Sequence, residues 1–287
     1  MSGWLAAVAA RIGGRSRQGI ALPAGARVER DVAYGSDAAQ RLDVYLPPRP
    51  SVFPLTVIVG GGAWSVGDKA APATIGAKVA HWLPLGRTVA SVGYRRLPEA
   101  DPLEQSRDVA RALSLLQRRL VEQGHSPRDA VLVGHSSGAH LVALLAADPA
   151  SAAIDGVEPW LASVLIDSAA LDVVELMRGP HLPLHDRAFG SSETVWRQAS
   201  PLHRLRGRPA PILLVHSSRR PLAGEHARAF AAAVVATGGR AEVLPLDLSH
   251  AELNAGLGRE PGYTARVDAF LGTLAASDQE RASVSST

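Results

Sequence analysis

The stretch Val131-Leu132-Val133-Gly134-His135-Ser136-Ser137-Gly138-Ala139-His140 constrains the fold of this chain most. An apolar β-type run meets a serine flanked by glycines two residues before and two after, and an alanine- and leucine-rich helical segment follows. A strand that turns directly into a helix strains the serine backbone. Side chains at 134 or 138 would collide with the neighbouring elements, so glycine is required at both. The turn lifts the serine hydroxyl above a sheet, the context of a nucleophile elbow.

The rest of the chain supplies such a sheet. Arg27–Tyr34 and Arg41–Leu46 read as a hairpin about Gly35-Ser36-Asp37, and Pro47, Pro48, Pro50 and Pro54 then interrupt the chain. Leu55–Val59 is a short unbroken apolar run, as expected of a strand buried on both faces. It ends in Gly60-Gly61-Gly62-Ala63-Trp64, where glycines expose backbone N–H groups. Helices are predicted over Ala73–Leu83, Pro102–Gln123, Glu225–Thr237 and Tyr263–Ala275, and strands over Thr88–Val92, Leu161–Ile166, Ile212–Val215 and Glu242–Leu246. Residues 178–208 read as irregular. This alternation implies a mostly parallel sheet covered on both faces. With 287 residues and 46% hydrophobic content, one domain over 27–275 is expected. Residues 1–26 are expected to be a leader, a short amphipathic helix or disordered, and 276–287 a disordered polar tail.

Composition excludes several classes. No apolar run is long enough to span a membrane. In the leader, Arg11, Arg15 and Arg17 follow the apolar stretch Trp4–Ala10, the reverse of a signal peptide. A cytoplasmic location is expected. Cysteine is absent, so disulfides and thiol chemistry are too. The formal charge is +3 and the pI about 9.7, from scattered arginines with no basic block among aromatics; Lys69 and Lys78 are the only lysines. Nucleic-acid binding is not expected. Alanine- and arginine-rich, lysine-poor usage suggests a bacterial, GC-rich source. Oligomeric state is not legible.

A serine hydroxyl needs a base, and the base an orienting acid. His250, in Leu246-Asp247-Leu248-Ser249-His250 after the last predicted strand, has the setting for the base; His135 and His140 read as structural. His181, His185 and Asp186 form an H-x-x-x-H pattern too common to imply a metal, and no cofactor is expected.

These segments together resemble the α/β-hydrolases of the small carboxylesterase and kynurenine-formamidase-like group, with their H-G-G-x-W oxyanion segment and G-H-S-x-G elbow. The likeness covers most of residues 27–272. It includes Tyr34-Gly35, Leu42-Asp43-Val44-Tyr45, Gly61-Gly62-Ala63-Trp64, Gly67-Asp68-Lys69, Tyr94-Arg95 with Pro98-Glu99, and Ala188-Phe189-Gly190 before Ala199-Ser200-Pro201. The resemblance implies an α/β-hydrolase fold of about eight strands with a short cap segment. It also implies an oxyanion hole from the N–H groups of Gly61, Gly62 and Ser137, substrate contact by Trp64, and a small ester or acyl substrate.

Two departures matter. Gly60 stands where the family usually has histidine, which implies a differently supported hole with weaker stabilisation. After the seventh strand, where the family keeps its acid, the chain reads His216-Ser217-Ser218-Arg219-Arg220-Pro221-Leu222, with no carboxylate. The acid is expected at Asp167, which ends the sixth strand and keeps the order serine, acid, histidine. Asp172, Asp247, Glu225 and no acid at all stay open. Arg219 and Arg220 are candidates to hold an anionic substrate group. The expectation is a serine hydrolase acting on an ester, or an amide. Acyl transfer, lactone handling or a lyase step at the same site, and a retired hydrolase fold that binds ligands, are the alternatives.

Overall fold

A computed structural model describes residues 20–49 and 55–284, the side chains of 275–284 excepted. Residues 1–19 of the expected leader therefore lie outside the described residues, as do residues 50–54.

Eight strands form one sheet: β1 (Arg27–Ala33), β2 (Arg41–Leu46), β3 (Leu55–Val59), β4 (Thr88–Val92), β5 (Ala130–His135), β6 (Ala162–Ile166), β7 (Ile212–Ser217) and β8 (Ala241–Leu246). Their spatial order is β1-β2-β4-β3-β5-β6-β7-β8. β2 runs antiparallel to β1 and β4, and every later pair is parallel. In β3, β5 and β6 nearly every residue is buried, because helices cover both faces.

Alternation along the strands divides the core. Val57, Ala90 and Leu132 face one layer with the helices α2 (Pro102–Glu122), α3 (Ser137–Ala147) and, further along, α9 (Pro221–Ala236). Ile58, Val89, Val131 and Val133 face the other, formed by α1 (Pro72–Trp82) and α11 (Pro261–Val284). α2 shows how local sequence fixes an element: Asp101 accepts from Glu104 N while the Glu104 side chain accepts from Asp101 N, and Pro102 opens the first turn.

Two expectations are corrected. The segment 178–208, read as irregular, holds α6 (Pro183–Phe189), α7 (Glu193–Ala199) and α8 (Pro201–Arg204), preceded by α5 (Val173–Arg178) and, before β6, α4 (Pro149–Ile154). Helices of one or two turns are too short to show an apolar period. α11 continues to Val284, past the point where a disordered tail is expected. Residues 276–284 contain neither glycine nor proline, and Ala, Gln, Glu and Arg sustain a helix already nucleated by the packed part.

Candidate active site

The elbow is built as its sequence requires. Ser136 lies between β5 and α3 with φ 57° and ψ −122°. A Cβ at Gly134 would lie 2.6 Å from Gly138 O, and one at Gly138 would lie 2.2 Å from Val59 O. The strand-to-helix turn exists only because both positions lack side chains.

α10 (His250–Gly256) starts after β8, and its capping box pairs Ser249 with Glu252. This cap fixes the first turn and so aims the His250 ring. Its Nε2 lies 3.0 Å from Ser136 Oγ, and its Nδ1 lies 2.6 Å from Asp167 Oδ2. A carboxylate only accepts, so Nδ1 carries the proton and Nε2 is left to accept from the serine. His135 completes the fit: its Nε2 donates to His250 O at 3.0 Å, and the two ring centroids lie 4.5 Å apart with the planes tilted by 38°.

Asp167 follows β6 with φ 56° and is 2% exposed. Its Oδ1 accepts from Ser217 N at 3.0 Å, and its Oδ2 accepts from His250 and from Arg220 NH1, the latter at 2.5 Å. Burial pushes its pKa up, but the His250 hydrogen bond, the Arg220 charge and the Ser217 N–H outweigh it and hold the carboxyl well below the usual range. Of the carboxylates left open by the sequence, Asp167 is the one that meets His250. Asp172 caps α5 through Val174 N and Glu175 N and pairs with His203. Asp247 is exposed and paired with Arg219.

The glycine loop lies against the serine: a Cβ on Gly61 would be 2.8 Å from Ser136 Cβ. Ser137 N–H opens α3 and, as a first-turn donor, has no intrahelical partner. The Gly62 N–H, expected in the oxyanion hole, is instead given to Ser137 Oγ at 3.0 Å. Ser137 also hydrogen-bonds Tyr94, whose hydroxyl donates to Gly60 O at 2.8 Å. A ring of bonds thus runs from Gly62 through Ser137 and Tyr94 back to Gly60. The loop lacks the histidine at position 60 and is braced by a tyrosine and a serine instead.

Trp64, expected to touch substrate, lines the cleft at Ser136 and, at 4% exposed, also anchors the loop. Its indole N–H donates to His140 Nδ1 at 3.2 Å, its ring meets Phe189 edge-on at 4.9 Å, and its carbonyl accepts from Gln105 Nε2 and Leu97 N. His140 in turn donates from Nε2 to Ala199 O at 2.7 Å; burial pushes its pKa down to about 4, so it is the neutral imidazole this pattern needs. Arg219 turns to Asp247 and Glu252 at the surface and is not among the residues that line the cleft. Arg220 does line it, with NH1 on Asp167.

The tyrosine–serine brace and the Ser217 N–H on the acid carry no motif that sequence reading could have singled out. Lys78 is another such residue. It is 1% exposed on α1, and its Nζ donates to Thr74 O, Asn254 O and Asn254 Oδ1 at 2.6–3.1 Å, tying α1 to the helix that starts with His250. Its burial pushes its pKa down to about 7.

Ser136, His250 and Gly61 open on a cleft of about 1710 Å³, walled by Ala71, Pro72, Leu176, Leu182, Leu184 and Leu222 among others. It lies at the carboxyl ends of the parallel strands, where open α/β sheets place their ligand sites. His181, which also lines it, donates from Nδ1 to Gly179 O and pairs through Nε2 with Asp186 Oδ1 at 3.0 Å. No group of three or more His, Cys, Asp or Glu side chains is arranged to hold a metal ion among the described residues.

The strand order, the elbow and the positions of Ser136 and His250 define an α/β-hydrolase fold. The chain belongs to the BD-FAE family, whose model matches residues 42–226. It is 29% identical over 237 residues to the isoprenylcysteine alpha-carbonyl methylesterase of Arabidopsis thaliana, covering 76% of this chain and 55% of that one. It is 25% identical over 222 residues to esterase LipQ of Mycobacterium tuberculosis, covering 71% and 52%. The chain thus spans about half the length of these two relatives, and only 27% of a probable methylesterase of the same kind from Oryza sativa. Esterase B from Lactobacillus rhamnosis, solved with a tributyrin phosphonate inhibitor, superposes with a TM-score of 0.76 at 21% identity, covering 98% of this chain and 96% of that one. This last likeness bears on fold alone.

Proposed function

We propose that the protein is a serine esterase that hydrolyses carboxylic esters of small molecules through an acyl-enzyme at Ser136. The observation that carries the reading is the Ser136 Oγ–His250 Nε2 contact of 3.0 Å, continued by the His250 Nδ1–Asp167 Oδ2 contact of 2.6 Å, beside Gly61 at the floor of an apolar cleft. The relatives named as esterases and methylesterases support the same class of reaction.

In this reading Ser136 Oγ bonds to the ester carbonyl carbon as His250 Nε2 takes the hydroxyl proton. The carbonyl π pair moves onto oxygen, where the N–H groups of Gly61 and Ser137 receive it. Collapse breaks the carbon–oxygen bond to the alcohol, which leaves with the proton from His250. Water then adds to the acyl carbon with its proton passing to Nε2, and expulsion of Ser136 Oγ with that proton releases the acid. Asp167 keeps Nδ1 protonated throughout and stabilises the imidazolium. The expected result is turnover of short-chain p-nitrophenyl esters that is lost, by about 10⁴-fold or more, in Ser136→Ala and His250→Ala proteins with native circular dichroism. Turnover retained in either variant would contradict the assignment.

A further inference from the structure

The cleft has one feature that hydrolysis of a simple ester does not need. Among the described residues that line it, Arg220 is the one arginine and there is no lysine. Its guanidinium is fastened by a single nitrogen: NH1 donates to Asp167 Oδ2 at 2.5 Å and to Asp167 O at 3.1 Å. NH1 also lies 2.9 Å from His250 Nδ1, but both are donors once Nδ1 is protonated, so this contact adds no bond. Nε and NH2 have no partner among the described residues. A guanidinium stays charged and presents its donors as a planar fork, and here part of that fork is unmatched.

The other charged groups around the cleft do not supply the match. Asp167 is already shared between His250 and Arg220. Asp68 is exposed, and its Oδ1 accepts from Ala70 N at 2.8 Å. His181 is held by Gly179 O and Asp186. Burial, then His181 and Arg220, push the pKa of His185 down to about 4, which leaves that imidazole neutral. Apart from His135 and His250, the remaining lining carries no ionisable side chain: it is made of glycine, alanine, serine, proline and leucine with Ile20, Trp64, Thr74 and Asn254. An anion entering this cleft therefore meets one fixed cation, held next to His250 with one nitrogen on Asp167 and its other donors open.

We infer that the preferred substrates are esters that carry a second, anionic group such as a carboxylate, read by the free edge of Arg220. This rests on the esterase reading of Ser136, His250 and Asp167. The tether to Asp167 matters as much as the charge, because a guanidinium already held in place loses little freedom when the substrate binds. A charge-assisted, partly desolvated contact of this kind is worth roughly ten- to a hundredfold in kcat/KM.

The test is a matched series: monomethyl esters of dicarboxylic acids from succinate to suberate, against methyl esters of the monocarboxylic acids of equal chain length. Acid release would be followed for the wild type, Arg220→Lys and Arg220→Gln, at low salt and at high salt. The inference predicts a wild-type kcat/KM at least tenfold higher for the acidic ester than for its neutral partner at one or more lengths. That ratio should fall tenfold or more in Arg220→Gln, persist in part in Arg220→Lys, and shrink with salt. Because it is a ratio within one protein, a general loss of rate or partial unfolding of the variant does not alter its meaning. A wild-type ratio of one or less at every length, or a ratio unchanged in Arg220→Gln, overturns the inference while leaving the esterase reading intact. A folded wild type that hydrolyses neither series, nor p-nitrophenyl esters, overturns both.

Discussion

At the scale of single residues, the site depends on which carboxylate meets His250. Asp167 follows the sixth strand at positive φ, and three donors (Ser217 N–H, His250 Nδ1–H and Arg220 NH1) converge on it. That convergence keeps it ionised despite burial, the condition for stabilising an imidazolium. Asp167→Asn should therefore lower kcat by about four orders of magnitude with little change in KM, because an amide leaves the imidazole free to adopt the wrong tautomer. Asp172→Asn removes charge from a helix cap and a His203 contact. It should cost on the order of 1 kcal/mol of stability and leave kcat within a few-fold. Steady-state kinetics with urea unfolding of both variants separates the two roles; equal, small effects on kcat would refute the assignment of Asp167.

At the scale of elements, the oxyanion loop after β3 owes its shape to neighbours distant in sequence. His140, on α3, accepts from Trp64 and donates to Ala199, so one neutral imidazole joins the loop, α3 and α7. Its pKa, about 4 in the folded protein, lies below the value of roughly 6.5 for a free imidazole. Between those values the unfolded chain binds a proton that the native state does not, so stability is present above about pH 6.5 and is lost as pH falls toward 4. The expected loss from this residue is roughly 3 kcal/mol. Urea midpoints at pH 7.5 and 4.5 should differ less in His140→Gln than in the wild type, and an identical difference would contradict the account. The same loop shows what sequence can carry. The strands, the elbow and His250 were legible because periodicity, glycine spacing and chain order are local or follow from topology. The Gly62–Ser137–Tyr94–Gly60 ring was not, since it closes between residues up to 75 positions apart and uses types with many ordinary roles. Trp64 was assigned to substrate by resemblance and Arg219 by the chemistry of its guanidinium; Trp64 lines the cleft while packed to 4% exposure, and Arg219 is paired with Asp247 at the surface. The short helices between 173 and 204 escaped for want of length.

At the scale of the whole molecule, a sheet buried on both faces provides a rigid base, and the loops at the carboxyl ends of four of its strands supply Gly61, Ser136, Asp167 and His250. No helix among the described residues is long and apolar enough to cross a membrane. The central claim is that this arrangement makes Ser136, alone among the serines, a nucleophile. Intact-mass analysis after incubation with a fluorophosphonate, with Ser136→Ala alongside, tests it most directly. The account predicts a single adduct on the wild type and none on the variant. A folded wild type that takes up no adduct, or a variant that is labelled as readily, would contradict it.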